Sequence, residues 1–463
     1  LFKKVKNIHF VGIGGIGMSG IAELLHNLGY RVSGSDLSES KLTRRLAAMG
    51  ISVSLGHRAV NVGDAEVVVY SSAVPPTNPE LEEAEDRKIP VIPRAEMLNE
   101  LMRLKIGIAI SGTHGKTSTT SMLAEIFAAA DLDPTYVIGG KLNSIDSNAR
   151  LGKGEYLIFE ACEAFGSFLH FSPIILTVLN IDEDHLEYYE TMDALRGAFL
   201  QFINKIPFYG AAILNNDNPN IRELMPGVKK RVLTFGIEEE SDYMASGIEF
   251  DGWRSSFDFI HSGKLLGRLA LNVPGQHNVS NALAAAVIAT ELEIPLEAIN
   301  SALAKFVNAD RRFQIKGSAS GVTVVDDYAH HPAEVAATLA AASSNRDGKI
   351  IAVFQPHLFS RTLALYKDFA SSLAAADEVV LTPIYPAREK PLPGVSSQLI
   401  QDSMFKNGYE RVSLVDDQKK LSRALLEKVH PGDFVLFMGA GSIWRTAEEF
   451  LEILKRGEPR YGE

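Results

Sequence analysis

Apolar positions along the chain alternate between short runs with strand character and longer stretches at helical spacing, and glycine turns mark the changeovers. The run Ile8–Val11 stops at Gly12-Ile13-Gly14-Gly15-Ile16-Gly17. A helical pattern follows to about Leu28, with Gly29 as a left-handed cap. Strand Arg31–Ser35 then ends in Asp36. Next come a predicted helix over Ser40–Met49, strands over Ile51–Leu55 and Val67–Tyr70, and a turn from Ser71 to Pro76. Pro90 and Pro93 lead to Leu101–Arg103, where a first boundary is expected.

A second block opens on Ile106–Ile110, passes through Ser111-Gly112-Thr113-His114-Gly115-Lys116-Thr117, and predicts a helix over Ser118–Ala130. Strands are expected at Tyr156–Phe159, Ile174–Leu179 and Gly210–Leu214. Between Thr234 and Val273 the pattern shortens around Gly247, Gly252, Gly263 and Gly267, which predicts antiparallel hairpins added to the central sheet. The Ala-rich stretch Asn278–Glu291 reads as a helix. From Phe313 the βα alternation resumes, with strands at Thr323–Val325, Ile350–Phe354, Glu378–Leu381 and Phe434–Phe437, and helices at Pro332–Ala342 and Thr362–Ala374. The expected fold is α/β in three domains: a Rossmann-like domain over 1–105, a P-loop domain over 106–312, and a second Rossmann-like domain over 313–463.

Composition refines this only at the edges. A chain of 463 residues agrees with about three domains, and 46% hydrophobic with 22% charged residues is ordinary globular usage. The net charge of −11 argues against nucleic acid as the main partner. The single cysteine, Cys162, excludes an internal disulfide framework and fits a reducing cytoplasm. No apolar run reaches the ~18 residues of a membrane span. No signal peptide is visible, and Leu1 in place of Met suggests a trimmed or recoded start.

The candidate chemistry lies at the glycine turns. A strand that stops at Gly112–Thr117 and re-enters as a helix aims N–H groups and the helix dipole at one point, which favours phosphate. Lys116 can reach terminal phosphates and the Thr117 hydroxyl suits Mg²⁺. Ile110 stands where the first P-loop glycine belongs. Strand Tyr156–Phe159 ends in Glu160-Ala161-Cys162-Glu163, and the next apolar run ends in Asn180-Ile181-Asp182-Glu183-Asp184-His185. Acids with a neutral His near phosphates suit Mg²⁺ or Mn²⁺. The plainer alternatives are a stray lysine, a solvated acid and an ordinary loop histidine. The convergence of the three features weakens all of them. The first turn, Gly12, Gly14, Gly15 and Gly17 followed by Asp36, needs only a pyrophosphate at a helix N-terminus, so it is weak evidence for NAD.

Seven segments occur in order: Gly12 to Ser19, Gly112 to Thr117, Asn180 to His185, Pro274-Gly275-Gln276-His277-Asn278, Arg311-Arg312-Phe313, Asp326 to Pro332, and Phe354-Gln355-Pro356-His357. Together they resemble the Mur ligase family over essentially the whole chain, and within it the member that adds L-alanine to UDP-N-acetylmuramate. The resemblance implies an ATP-dependent carboxylate–amine ligase that forms ADP and phosphate through an acyl phosphate, in the cytoplasm, as a monomer or weak dimer. It re-reads the first turn as a UDP-sugar cradle, with Ser71 and Ser72 as further contacts.

Further roles follow only from the resemblance. It places ATP on Gly112, Thr113, His114, Gly115, Lys116, Thr117 and Ser118, with His277, Asn278 and Asn281 at the base and Asp327 at the ribose. Arg312 would reach the phosphates. Thr117 would bind one Mg²⁺, and Glu160 with His185 the second. Arg361 would pair with the amino-acid carboxylate, with Tyr328 and His330 nearby. Three positions depart from the family pattern: Cys162 replaces a frequent Asp, with Glu163 as possible substitute; Leu358 replaces a frequent Arg; and Phe199 stands where related ligases carry a carbamoylated Lys. The alternatives are a recycling ligase that attaches a preformed peptide to the same sugar nucleotide, and a UDP-sugar-binding regulator without turnover.

Overall fold

The first apolar runs pair as a wholly parallel sheet in the order Ser52–Leu55, Arg31–Asp36, Asn7–Val11, Val67–Tyr70, Val91–Pro93. Chain order reverses at Asn7–Val11, so a crevice opens at its carboxyl end, where Gly12–Gly17 lies. The computed structural model describes residues 5–71, 73–102, 105–142, 147–150, 152–343, 348–387 and 389–456. Ser72 therefore lies outside the described residues.

The second sheet runs Lys264–Leu271, Arg254–His261, Tyr243–Asp251, Val232–Gly236, Ala211–Asn215, Ile175–Val178, Ile106–Ser111, Tyr156–Ala161, Thr135–Leu142, Ser147–Arg150. The two-residue links within 243–271 are too short for a parallel crossover, so these strands are the antiparallel addition that the alternating pattern predicts. A second hairpin, Thr135–Leu142 with Ser147–Arg150, is also antiparallel and was not expected. The third sheet orders Gln314–Ala319, Val322–Asp327, Phe434–Met438, Ile350–Phe354, Glu378–Leu381, Val412–Leu414, parallel except for its first strand. The fold is thus α/β with three sheets, as the pattern implied.

Two compact units result. One comprises 1–247, 257–270 and 280–306; the other comprises 248–256, 271–279 and 307–463. In the first unit, one apolar core runs from Ile8 and Phe10 of the first sheet and Leu25 of the helix Ile16–Asn27 to Phe159 and Leu214 of the second sheet and Phe199 of the helix Met192–Ile203. Packing is therefore continuous past Leu101–Arg103.

Beneath the first sheet lies a buried polar cluster. Glu80 opens the helix Pro79–Asp86, whose N-cap Asn78 accepts its N–H, and its carboxylate is fully buried. Oε2 accepts from His9 Nε2 at 3.2 Å and Ser35 Oγ at 2.5 Å, and Oε1 from Arg58 N at 3.0 Å and Asn61 Nδ2 at 2.6 Å. Burial would raise the carboxyl pKa, but these donors outweigh it and hold Glu80 at about 2, against an ordinary 4.5.

The folded value lies below the unfolded one, so this stabilisation is complete above pH 4.5 and disappears as pH falls toward 2. The difference corresponds to about 3 kcal/mol. Denaturant titrations of the wild type should lose that much stability across this window, and Glu80→Gln should remove most of the dependence. Identical acid profiles for the two proteins would show that Glu80 is not held this way.

Candidate active site

The strand Ile106–Ser111 sits where the order of the second sheet reverses, between Ile175–Val178 and Tyr156–Ala161. Its loop therefore opens at the carboxyl edge, the ligand-binding edge of such sheets. Gly112 (φ +132) and Gly115 (φ +82) take backbone conformations that side chains disfavour. A Cβ on Gly115 would lie 2.4 Å from Asn281 Oδ1, so Asn281 packs directly on the loop. The helix begins at Lys116, earlier than predicted, which puts Lys116 and Thr117 in its first turn.

The segment after Ile175–Val178 braces this loop. Thr113 N donates to the Asn180 carbonyl, His114 N to Asn180 Oδ1 at 2.7 Å, and Asp182 N to Thr113 Oγ1 at 2.9 Å. His114 Nε2 lies 3.1 Å from Asp182 Oδ2. The amides of Thr113 and His114 are thus spent on fixing the loop. The first amides of an α-helix have no intrahelical acceptor, and here they lie beside Lys116.

Lys116 is held inside the loop. Its Nζ donates to the carbonyls of Gly112 and Thr113 and, at 3.1 Å, to Glu163 Oε2. Glu163 is 1% exposed, and its Oε1 has no hydrogen-bond partner among the described residues. Burial would lower the lysine pKa, but the Glu163 carboxylate raises it above the usual range. Tyr189 Oη anchors the Glu163 carbonyl at 2.6 Å.

Glu160 stands opposite Ile110 in the parallel register, one residue from the loop strand's end. His185 adopts a left-handed backbone (φ 57), and its N–H donates to Asp184 Oδ1 at 2.9 Å. Among the described residues no group of three or more His, Cys, Asp or Glu gathers as a ready metal site. Cys162 is half-buried, and the loss of hydration pushes its thiol pKa up.

At the first glycine turn, Asp36 does not project freely. Its Oδ2 accepts Gly14 N at 2.8 Å, closing the turn, and its Oδ1 lies 3.4 Å from Ser38 N. A Cβ on Gly12 would touch Ser71 at 3.3 Å, so the structure brings Ser71 to the turn. Gly15 is the N-cap of the helix Ile16–Asn27.

The other unit gathers its own cluster. Asp327 is buried and accepts Phe313 N at 2.8 Å and Ala329 N at 2.7 Å; burial raises its pKa. Arg311 and Arg312 lie over the Tyr328 ring at 5.1 and 5.2 Å, and Arg311 also pairs with Asp326 at 3.1 Å. Burial, and then the charge of Arg312, push His277 down to about 4, so it is neutral near pH 7. Asn278 Nδ2 donates to the Pro274 carbonyl at 2.7 Å. His330 meets Tyr328 edge-on and approaches His357, which stacks on Tyr385. Arg361 lies half-buried in the first turn of Phe359–Leu373.

Residues 7–106, 110–289 and 311–441 match, respectively, the Mur ligase family catalytic domain, the Mur ligase middle domain and the Mur ligase glutamate ligase domain. The chain belongs to the Mur ligase family. It is 51% identical to the UDP-N-acetylmuramate–L-alanine ligase of Syntrophotalea carbinolica over 98% of this chain and 100% of that one. The enzyme of the same name from Geotalea daltonii is also 51% identical, over 98% and 99%. The crystal structure of UDP-N-acetylmuramate-alanine ligase from Thermotoga maritima superposes with a TM-score of 0.82 at 30% identity, covering 98% of this chain and 100% of that one. A murein peptide ligase from Psychrobacter arcticus shares the fold, with a TM-score of 0.69 at 24% identity over 97% and 99%.

Two of the departures from the Mur ligase pattern have structural counterparts. Phe199 is fully buried, its ring 5.0 Å from that of Phe168, and serves the core. Leu358 caps Phe359–Leu373 at φ 68, a strained conformation for a branched side chain. Sequence reasoning did not single out Arg94 or Asn180. Arg94 is half-buried, and a Cβ on Gly17 would lie 3.0 Å from its Nη1; it also feels the charge of Glu160. A lone arginine at the start of a helix carries no periodic signal. Asn180 braces the loop from 66 residues away, a partnership that no local pattern reveals.

Removing Lys116 leaves Glu163 buried without its counter-charge, which typically costs about 3–5 kcal/mol. Thermal melts of Lys116→Met should therefore drop by several degrees, and adding Glu163→Gln should recover part of the loss. Strict additivity in this double-mutant cycle would show that the two side chains act independently.

Proposed function

We propose that this chain is an ATP-dependent ligase that joins L-alanine to the lactyl carboxylate of UDP-N-acetylmuramate in peptidoglycan synthesis. The observation that carries the reading is a braced phosphate loop with a buried Lys116, in a chain 51% identical end to end to enzymes of that name. A carboxylate resists amine attack, so an oxygen of the lactyl carboxylate first takes the γ-phosphoryl group and ADP leaves. The amine of L-alanine then attacks the acyl carbon, forming the amide and releasing phosphate. The first step needs positioning and charge neutralisation more than covalent help from the protein. Lys116 and the amides of the helix start supply both at the β- and γ-phosphates.

The residues present suit a magnesium ion, because Mg²⁺ takes one or two carboxylates and completes its shell with phosphate oxygens and water. Thr117, Glu160 and His185 are the proposed ligands, and the ion would draw charge from the transferring phosphoryl group. His277, Asn278 and Asn281 are proposed for the ATP base, Asp327 for the ribose, Arg312 for the phosphates, and Tyr328, His330 and Arg361 for the amino acid. Gly12, Gly14, Gly15, Gly17 and Ser71 would hold the UDP pyrophosphate. Asp36 acts there by closing the turn. The use of ATP and a UDP-sugar supports a cytoplasmic setting.

Phosphate release should require ATP, Mg²⁺, UDP-N-acetylmuramate and L-alanine together, and should fall on the order of 10²-fold or more in Lys116→Ala. Release with a preformed peptide but not with L-alanine would instead support the recycling ligase. UDP-sugar binding without any release would support the regulator. If Glu160 and His185 share an ion, Glu160→Ala and His185→Ala should each raise the Mg²⁺ requirement, with a combined effect smaller than the sum.

A further inference from the structure

The buried cluster under the first sheet reaches the surface at His57, and its proton inventory is determinate. Glu80 is ionised, so both of its oxygens only accept. The Ser35 hydroxyl sits 2.5 Å from Glu80 Oε2 and commits its single proton there. His57 Nδ1 lies 2.9 Å from that same hydroxyl oxygen, so the ring nitrogen must be the donor. A neutral His57 then carries its lone pair on Nε2. That nitrogen makes no hydrogen bond among the described residues, and the side chain is 13% exposed.

His57 lies at a recognisable edge. It follows Gly56, whose N–H donates to the Asp36 carbonyl at 2.8 Å, just past the carboxyl ends of Arg31–Asp36 and Ser52–Leu55. Leu37 and Leu55 are 78% and 54% exposed there. The glycine turn closed by Asp36 adjoins them. In folds of this kind the nucleoside extends from the pyrophosphate over the carboxyl end of the second strand. Two exposed leucines and one bare ring nitrogen make an apolar edge with a single acceptor.

We propose that Glu80, acting through Ser35, is a positioning residue that fixes His57 with Nδ1 protonated, so that the bare Nε2 accepts the ring N–H of a uracil base. The inference rests on the reading of this domain as a UDP-sugar site. Cytosine presents an acceptor, not a donor, at the matching ring position, so two lone pairs would face each other. An unpaired polar contact of this kind is how such a site rejects a close analogue.

The test uses the full chain with ¹⁵N-labelled histidine, at about pH 8 to favour neutral imidazole. His57→Gln assigns the signal. Long-range ¹H–¹⁵N spectra should show Nδ1–H and a bare Nε2 in the free protein, with Nε2 shifting on addition of UDP. UDP should bind at least about tenfold more tightly than CDP. Ser35→Ala cuts the link and leaves the Glu80 carboxylate in place, and Glu80→Gln changes the carboxylate itself. Both should release the tautomer and erode the UDP preference, and Ser35→Ala serves if Glu80→Gln fails to fold. A wild-type His57 protonated at Nε2 overturns the proposal, as does an unchanged tautomer and base preference in folded Ser35→Ala. If the wild type shows the expected tautomer but binds neither UDP nor CDP, the nucleotide reading of the domain is what has failed, and base recognition falls with it.

Discussion

An ammonium group buried in a glycine turn must have a counter-charge, and much of the first unit is arranged to give Lys116 one. Glu163 supplies it at 3.1 Å, and two loop carbonyls take the remaining protons. Neither partner could sit there alone, because an isolated buried charge costs several kcal/mol. The parallel register of Tyr156–Ala161 against Ile106–Ser111 delivers Glu163 to this place, and Tyr189 fixes its backbone. Asn180 then locks the loop from the other neighbouring strand. The cradle is therefore a product of sheet order: three strand ends converge where the sequence order reverses.

The first sheet uses the same geometry with a different economy of charge. In its glycine turn Asp36 closes the loop through Gly14 N, and the ionised Glu80 is held by four donors beneath it.

The architecture was legible because its signals are local. Glycine turns after apolar runs located the strands Asn7–Val11 and Ile106–Ser111, and alternation between Thr234 and Val273 identified the added hairpins. The hairpin Thr135–Leu142 with Ser147–Arg150 was not legible, since it carries no comparable alternation. The antiparallel strand Gln314–Ala319 was hidden likewise, by its polar, half-exposed face. In the site, Lys116 and Glu160 stood out by motif and position, and Ser71 entered only through the resemblance. Asn180 as a brace and Glu163 as counter-ion did not, because both act across the sheet and their chemistry becomes visible only when register is known. Asp36 was found by the motif, and its bond to Gly14 N, which also closes the turn, became visible only in the structure.

The cysteine beside this cluster makes physical sense in the same terms. Burial pushes the Cys162 thiol up, so it remains neutral near pH 7 and adds no anion. Glu160 and Glu163 are then the nearby negative charges, and Lys116 and Arg94 the positive ones. An aspartate at 162 would leave that group of buried charges one negative in excess, at a cost set by desolvation. With a thiol there, the nucleotide-free site is close to balanced. A polyphosphate entering beside Lys116 upsets this balance strongly toward negative. Two fixed cations cannot offset several phosphate charges while one of them is already paired with Glu163. On the proposed reading that deficit is the place for a divalent cation held by Thr117, Glu160 and His185, which would offset phosphate charge.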